Sequence, residues 1–171
     1  MSTIMLLLIA GHETSVILIG SGMLALLLNL DQLHHLQQEP GLMGGAVEEL
    51  LRLVNPVQTV NRYAREDLEI GGVPIPRGSH VQIVLAAANH DSEFVPNAEE
   101  LDVTRNVRQR VAFGLGIHYC LGAPLARLEG EIAFSTLLRR LPNLRLGIPS
   151  SEVRWAPGVE IRGLESLPVV F

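Results

Sequence analysis

The strongest constraint on the fold comes from residues 113–122, which read F-G-L-G-I-H-Y-C-L-G and contain the only cysteine of the 171-residue chain. Gly114, Gly116 and Gly122 can each adopt positive φ, so the backbone can pass close to a flat ligand. A helix predicted just beyond Cys120 places its positive dipole end near the sulfur, which favours the thiolate over the thiol. The pattern is typical of a loop that presents a thiolate to haem iron.

The residues alone leave other interpretations of this cysteine open. An unpaired cysteine in a globular chain is commonly a small buried apolar residue. It can also be a nucleophile activated by His118, although a base two residues away in a tight loop is poorly placed and no Asn or Asp is evident to orient it. Zinc is the weakest alternative, since the sequence has neither C-x-x-C nor H-x-x-x-H spacing.

The most apolar segment, residues 4–30, is long enough to cross a membrane. His12 and Glu13 interrupt it, however, and no Lys or Arg precedes Arg52. A charged residue at the bilayer centre costs about 2.5–3.5 kcal/mol on insertion scales, and a signal peptide needs a basic start and a cleavage site. We therefore predict a buried helix here, with no membrane span.

Within this helix, residues 10–14 read A-G-H-E-T, which is unfavourable for a core helix. Gly11 costs about 1 kcal/mol relative to alanine, and a buried Glu13 needs a partner. Ala10 and Thr14 lie on one face, so a Thr14 hydroxyl turned toward the Ala10 carbonyl or a ligand would open a small polar notch for dioxygen and water. The alternative is a helix start, in which Glu13 and Thr14 are ordinary solvated or capping residues.

Hydrophobic periodicity and turn residues predict the other elements and a mainly helical α+β class. The expected elements are helices at 31–38, 46–54 and 121–141, strands at 57–63, 68–75 and 81–85, a meandering loop at 91–110, and strand-like chain over 142–171. Glu49 and Arg52 lie one turn apart on the second of these helices. Because an apolar stripe surrounds them, we expect the pair to be partly buried beside the core.

Composition narrows the class of protein further. The chain is 47% hydrophobic and 18% charged, as expected for one globular domain with a core. Its net charge of -5 disfavours general nucleic-acid binding, which needs a basic surface. One cysteine allows no internal disulfide, so a reducing cytoplasm is the default location.

Several motifs in one order resemble the C-terminal part of a soluble bacterial cytochrome P-450, a haem-thiolate monooxygenase. A-G-H-E-T resembles that family's oxygen-binding helix, E-E-L-L-R its E-x-x-R helix, and F-G-L-G-I-H-Y-C-L-G its cysteine loop. R-Y-A-R-E-D-L-E-I-G-G-V-P-I-P-R-G and R-G-L-E-S-L-P-V resemble its connecting sheets. The resemblance runs essentially end to end and implies a single partial P-450 domain over 1–171 with small β-sheets.

The resemblance implies haem b as cofactor and insertion of one atom of dioxygen into a largely apolar organic substrate. Cys120 would be the axial thiolate on iron, and Glu13 and Thr14 would relay protons to dioxygen. Arg62 and His118 match positions that hold haem propionates. The electron donor would be a ferredoxin or a flavoprotein.

Further positions match the family's cofactor, substrate and structural residues. The other haem contacts would be Phe113, Gly114 and Arg110, where Arg110 replaces a histidine common in related sequences. The substrate pocket would include Ala10, Val57 and Val60. A buried structural network would join Glu49, Arg52 and Arg105, with a role in folding and haem retention.

The resemblance covers only the C-terminal side of the family's fold, which is longer by more than this chain's own length. The start falls inside the oxygen-binding helix, so we expect the helices over the other haem face and the substrate lid to be absent. Two alternatives to a working monooxygenase follow: a non-catalytic fragment of such an enzyme, and a haem-binding module without turnover.

Overall fold

The structure is a computed structural model and describes residues 2–106 and 110–171. Its helices are α1 (Thr3–Leu28), α2 (Leu30–Gln38), α3 (Met43–Val54), α4 (Leu85–Asn89) and α5 (Ala123–Arg140). Its strands are β1 (Thr59–Tyr63), β2 (Leu68–Ile70), β3 (Val73–Ile75), β4 (His80–Val84), β5 (Arg145–Leu146) and β6 (Val169–Val170). Short 3-10 helices span Pro40–Leu42, Gly116–His118 and Ser150–Glu152. The predicted α+β, mainly helical class is confirmed.

The core lies where α1, α3 and α5 pack together. The apolar stripe of α3 faces inward because its hydrophobic residues recur every three or four positions. The side chains with no exposed surface there include Leu26, Ala46, Val47, Leu50 and Phe134. This packing fixes α5, and therefore the loop that precedes it, relative to α3.

The first half of α1 differs from the expectation of a fully buried helix. Residues from Ile17 to Leu27 are largely buried, but Ile4 is 72% exposed and Leu8 is 63% exposed. The expectation is wrong for the first half because the neighbours that cover the second half do not cover the first. Within the described residues, α1 is the single helix long and apolar enough to cross a membrane, a test that core helices of soluble proteins also pass.

The sheets are three antiparallel pairs, β1 with β4, β2 with β3, and β5 with β6. Gly71 and Gly72 both have positive φ, as the tight turn between β2 and β3 requires. The strand predicted at 81–85 is β4, which has the predicted length but lies one residue earlier, because Leu85 begins α4. Sequence reasoning missed α4.

The two remaining irregular segments had different outcomes. The described part of the predicted meander, 91–106 with Arg110, contains no helix or strand, while Arg108 lies outside the described residues. The end of the chain is less strand-like than expected: beyond β5 and β6 it has only isolated bridges, Val57 with Ile161 and Trp155 with Leu164, in the described structure. Several prolines and glycines interrupt ladder formation there.

Gly22→Ala is expected to destabilise the protein although alanine is the better helix former. A Cβ at Gly22 would lie 2.7 Å from Cζ of Phe134, a ring that is 0% exposed, so one of the two groups would have to shift within the core. Overpacking of this kind costs about 1–3 kcal/mol. The free energy of unfolding in urea should fall by that amount.

Gly20→Ala is the matched control on the same helix. No atom lies within 4 Å of a Cβ built at Gly20. Alanine should therefore raise the free energy of unfolding by about 0.5–1 kcal/mol through helix propensity alone. Equal changes at the two glycines would contradict the close approach of α1 to Phe134.

Candidate functional site

The loop that carries Cys120 is closed by its own backbone. The Cys120 amide donates to the Phe113 carbonyl over 3.0 Å, and the Gly114 amide donates to the Val111 carbonyl over 2.8 Å. Gly114 and Gly116 have φ of 70° and 71°, a left-handed conformation that glycine adopts without strain. The structure thus gathers Phe113, Gly114 and Cys120 into one hydrogen-bonded turn.

Gly122 differs from the expectation of positive φ, because its φ is -81°. It is the N-cap of α5, and a non-glycine Cβ there would make only ordinary contact with the Cys120 sulfur at 3.8 Å. Pro124 lies in the first turn of α5, where a missing N–H is harmless.

The Cys120 side chain is exposed, so the interpretation of a small buried apolar cysteine is wrong. The carbonyl of Cys120 accepts from the Ala123 amide at the start of α5, which places the residue beside the helix N-terminus. His118 is also exposed and ends the 3-10 helix Gly116–His118. The thiol is therefore presented outward, next to the positive end of a helix dipole.

Apolar side chains beside Cys120 also face outward. Ile117 is 97% exposed, Leu121 is 88% exposed, and Leu115 is 70% exposed. Large apolar groups rarely cluster on the outside of a protein without something to cover them. Sulfur is a soft ligand, and a cysteine sulfur among apolar side chains suits a flat, largely apolar macrocycle with iron at its centre, so the residues present fit haem.

The A-G-H-E-T segment forms the polar contact that its spacing predicts. The Thr14 hydroxyl donates to the Ala10 carbonyl over 2.7 Å, and α1 stays helical through these residues. Because α1 begins at Thr3, this segment is not a helix start, although Glu13 is solvated as that alternative expects. Glu13 and Ala10 are exposed, and Thr14 is half-buried.

The structure brings Glu49, Arg52 and Arg105 together. Arg52 Nε lies 2.8 Å from Glu49 Oε2, and Arg105 Nε lies 3.0 Å from Glu49 Oε1. Glu49 and Arg52 are 0% exposed, so the burial is complete and exceeds the partial burial expected. The remaining donors of Arg52 reach the carbonyls of Asn89, Ala98 and Glu100.

The other predicted cofactor and substrate residues lie on separate elements. Arg62 is exposed on β1 and donates to the Asn61 carbonyl over 2.8 Å. Val57 and Val60 are half-buried, in a bridge to Ile161 and in β1 respectively. Arg110 Nε lies 2.7 Å from Glu48 Oε2.

Sequence reasoning missed a second polar cluster, centred on Arg127 of α5. Arg127 Nε contacts Glu48 Oε1, both terminal nitrogens lie 3.2 Å from the Tyr119 hydroxyl, and the guanidinium lies 4.7 Å from the centroid of the Phe113 ring. Burial opposes its charge, but the hydrogen bonds that the guanidinium donates to Glu48 and Tyr119 outweigh that effect and raise the pKa of Arg127. The available signal was spacing: Arg127 is seven residues beyond Cys120, in the second turn of α5.

Comparison with known proteins gives one family. The family model described as Cytochrome P-450 matches residues 1–144. The polyketide biosynthesis cytochrome P-450 PksS of Bacillus subtilis (strain 168) is 47% identical over 169 residues, which are 98% of this chain and 42% of that protein.

Solved structures agree with the sequence comparison. The tirandamycin C-bound P-450 monooxygenase TamI has a TM-score of 0.94 and 50% identity, covering 96% of this chain and 41% of that one. A P-450 in complex with an acyl carrier protein that carries hexadec-9Z-enoic acid has a TM-score of 0.93 and 47% identity, covering 97% and 43%.

Helices and small sheets in this arrangement, with a cysteine loop before α5, are those of the P-450 monooxygenases among the solved structures. The resemblance found in the sequence is thereby confirmed. The chain belongs to the cytochrome P-450 family, and it spans 42% of the length of a relative such as PksS.

Proposed function

We propose that this chain, as a single partial domain over 1–171, is the haem-binding part of a monooxygenase that inserts one atom of dioxygen into a largely apolar organic substrate. The exposed thiol of Cys120, held between left-handed glycines and the N-terminus of α5, carries the proposal. Haem ligated by a thiolate supplies the activation of dioxygen that such an insertion needs.

The chain's own residues divide the remaining work. Cys120 would ligate the iron of haem b, and the exposed donors Arg62 and His118 would hold its propionates. Phe113 and Gly114 would shape the loop beneath the haem. Arg110 would act near a propionate while its Nε stays on Glu48.

Glu13 and Thr14 would handle protons on the opposite side, where Ala10, Val57 and Val60 would line the substrate pocket. The Thr14 hydroxyl hydrogen is directed at the Ala10 carbonyl, which leaves the lone pairs of Oγ1 free to accept a proton donor such as water. Glu13 is exposed to solvent. This pair would deliver protons from the surface to the site.

Partner proteins would supply the electrons for the reaction and could carry its substrate. We propose a ferredoxin or a flavoprotein as electron donor, in the cytoplasm, since haem-thiolate monooxygenation consumes electrons that this chain does not store. An acyl carrier protein is bound in one solved relative. As a second candidate, we propose a substrate that is carried in the same way.

One observation favours a lesser function. Ile4, Leu8 and Ile9 on α1, together with Ile117 and Leu121 of the cysteine loop, are exposed apolar side chains. If nothing covers them, the chain would bind haem without turnover, or would be a non-catalytic fragment of a monooxygenase.

The deciding experiment is to load the chain with haem, reduce it, add carbon monoxide and record the Soret band. A strongly red-shifted band would show that the thiolate ligates iron. Haem uptake with reduction but without oxygen consumption would select the module without turnover. No haem uptake would contradict the proposed function of this chain.

Thr14→Ala should leave haem binding unchanged and divert electrons to peroxide. Proton transfer by a positioned side chain contributes about 10²–10⁴-fold to a rate, so losing the hydroxyl should slow productive turnover by about 10²-fold or more. The measurement is peroxide formed per dioxygen consumed with a surrogate ferredoxin and its reductase. Ser15→Ala is the control, because the Ser15 hydroxyl donates to Glu129 of α5. Equal peroxide yields in the two variants would remove Thr14 from the proton relay.

A further inference from the structure

We propose that Arg127 is a positioning residue for Cys120, which holds the cysteine loop against α3 through Glu48. The inference rests on the proposed function only in taking Cys120 as the haem ligand. The contacts of Arg127 with Glu48, Tyr119 and Phe113 are here called the Arg127 clamp. They join both sides of the loop to one guanidinium.

The Arg127 guanidinium uses its edge and its face. Nε contacts Glu48 Oε1, while both terminal nitrogens donate to the Tyr119 hydroxyl over 3.2 Å. The flat face lies 4.7 Å from the Phe113 ring centroid, a cation–π distance. A planar fork that bonds at its edge and stacks on its face is a geometry that lysine does not reproduce.

Both aromatic partners are joined directly to Cys120. Tyr119 precedes Cys120 in the chain, and the Phe113 carbonyl accepts the Cys120 amide over 3.0 Å. The Phe113 and Tyr119 rings also meet edge to face, with centroids 6.3 Å apart. Fixing these two side chains therefore fixes the peptide on each side of the turn that aims the thiol.

The loop's own apolar side chains do not anchor it. Leu115, Ile117 and Leu121 are all largely exposed, so they make little packing contact within the described residues. Tyr119 is itself half exposed. Arg127, with 27% of its side chain exposed, is better placed to hold the loop than they are.

The anchor on the other side of Arg127 is a core helix. Glu48 on α3 is only 14% exposed and also contacts Arg110, at the start of the chain leading into the loop. The next residue, Glu49, belongs to the fully buried pair with Arg52. The chain of contacts thus runs from the core of the domain to the residue that precedes Cys120, as an outer-shell support does for a metal ligand.

The test compares Arg127→Met with Arg140→Met, an exposed arginine in the last turn of the same helix. In the haem-free chain, amide hydrogen exchange at Cys120 should be roughly tenfold faster in Arg127→Met, while the urea midpoint matches the control. The affinity of the Arg127→Met chain for haem should fall about 10–100-fold. The reduced carbon monoxide complex should also show a larger share of the shorter-wavelength Soret band of a displaced thiolate.

Two more variants keep the test decisive. Arg127→Lys keeps the charge but not the fork, and should restore little of the red-shifted band. Tyr119→Phe removes one hydroxyl and leaves the ring, so it should speed Cys120 exchange even if Arg127→Met fails to fold. Exchange and spectra in Tyr119→Phe equal to those of Arg140→Met would overturn the proposal. Failure of every chain to take up haem would count against the proposed function. The exchange rates of the haem-free chains would still show whether the Arg127 clamp holds the cysteine loop.

Discussion

Arg52→Met should lower the free energy of unfolding by about 3–5 kcal/mol, the usual cost of breaking a buried ion pair by removing one partner. Arg52 is 0% exposed and donates to both Glu49 oxygens over 2.8 Å. Its terminal nitrogens also satisfy the carbonyls of Asn89, Ala98 and Glu100. Methionine fills similar volume but supplies none of these donors. Urea unfolding followed by circular dichroism measures the change.

Part of the interaction energy of Glu49 should survive the loss of Arg52, because residues of the meander also contact its carboxylate. Glu49 keeps Arg105 at 3.0 Å and the Asp102 amide at 3.3 Å, so its carboxylate is only partly orphaned by the substitution. Adding Glu49→Gln to Arg52→Met removes that buried negative charge, and the double variant should lose less than the sum of the two single variants.

Arg65→Met is the control for charge alone, because Arg65 is exposed in the turn after β1 and should change stability by no more than about 0.5 kcal/mol. A loss below about 1 kcal/mol in Arg52→Met would place the pair in the same class as a surface ion pair. That result would contradict a structural role for the network.

The spacing of Glu49 and Arg52 predicted their pairing, because residues three apart on a helix share a face. Their complete burial was not predictable. It depends on carbonyls that lie 37 to 48 residues away along the chain, in α4 and the meander. The local sequence pattern contains no information about such distant contacts. The sequence therefore predicted a partly buried pair, whereas the structure has a completely buried one.

The helices also differ in how far the sequence predicted them. Long periodic helices such as α3 and α5 were predictable because their apolar positions repeat over several turns. The five-residue α4 follows β4 directly and is too short to show a period. It is nevertheless important, since the Asn89 side chain bonds Asn55 over 2.8 Å and accepts from the Val111 amide over 2.9 Å.

The candidate site shows what a motif can and cannot predict. The glycines and the helix beyond Cys120 predicted a sulfur presented to a metal, and the structure leaves this side chain exposed. The contact between Arg127 and Glu48 could not be predicted from the sequence, because Glu48 lies more than seventy residues before Arg127 in the chain. Glu48 also resembled any solvated helix residue beside a more informative neighbour.

Cys120→Ser should abolish the red-shifted Soret band of the reduced carbon monoxide complex completely. A serine hydroxyl stays protonated where a cysteine thiol ionises, so it cannot push electron density onto iron as a thiolate does. The side chain is exposed, so the fold should be unaffected, with a change in unfolding free energy within about 0.5 kcal/mol. Haem titration and the carbon monoxide spectrum of the same preparation give both readouts.

Cys120→His separates loss of the thiolate from loss of any ligand. Imidazole can ligate iron from the same exposed position, so this variant should take up haem while its carbon monoxide complex absorbs at the shorter wavelength of a neutral ligand. Retention of the red-shifted band in Cys120→Ser would be incompatible with a protein thiolate on iron, because the chain has no second cysteine. Loss of haem uptake in Cys120→Ser with uptake kept in Cys120→His would show that this one coordinate bond, and not the apolar surface around it, holds the haem.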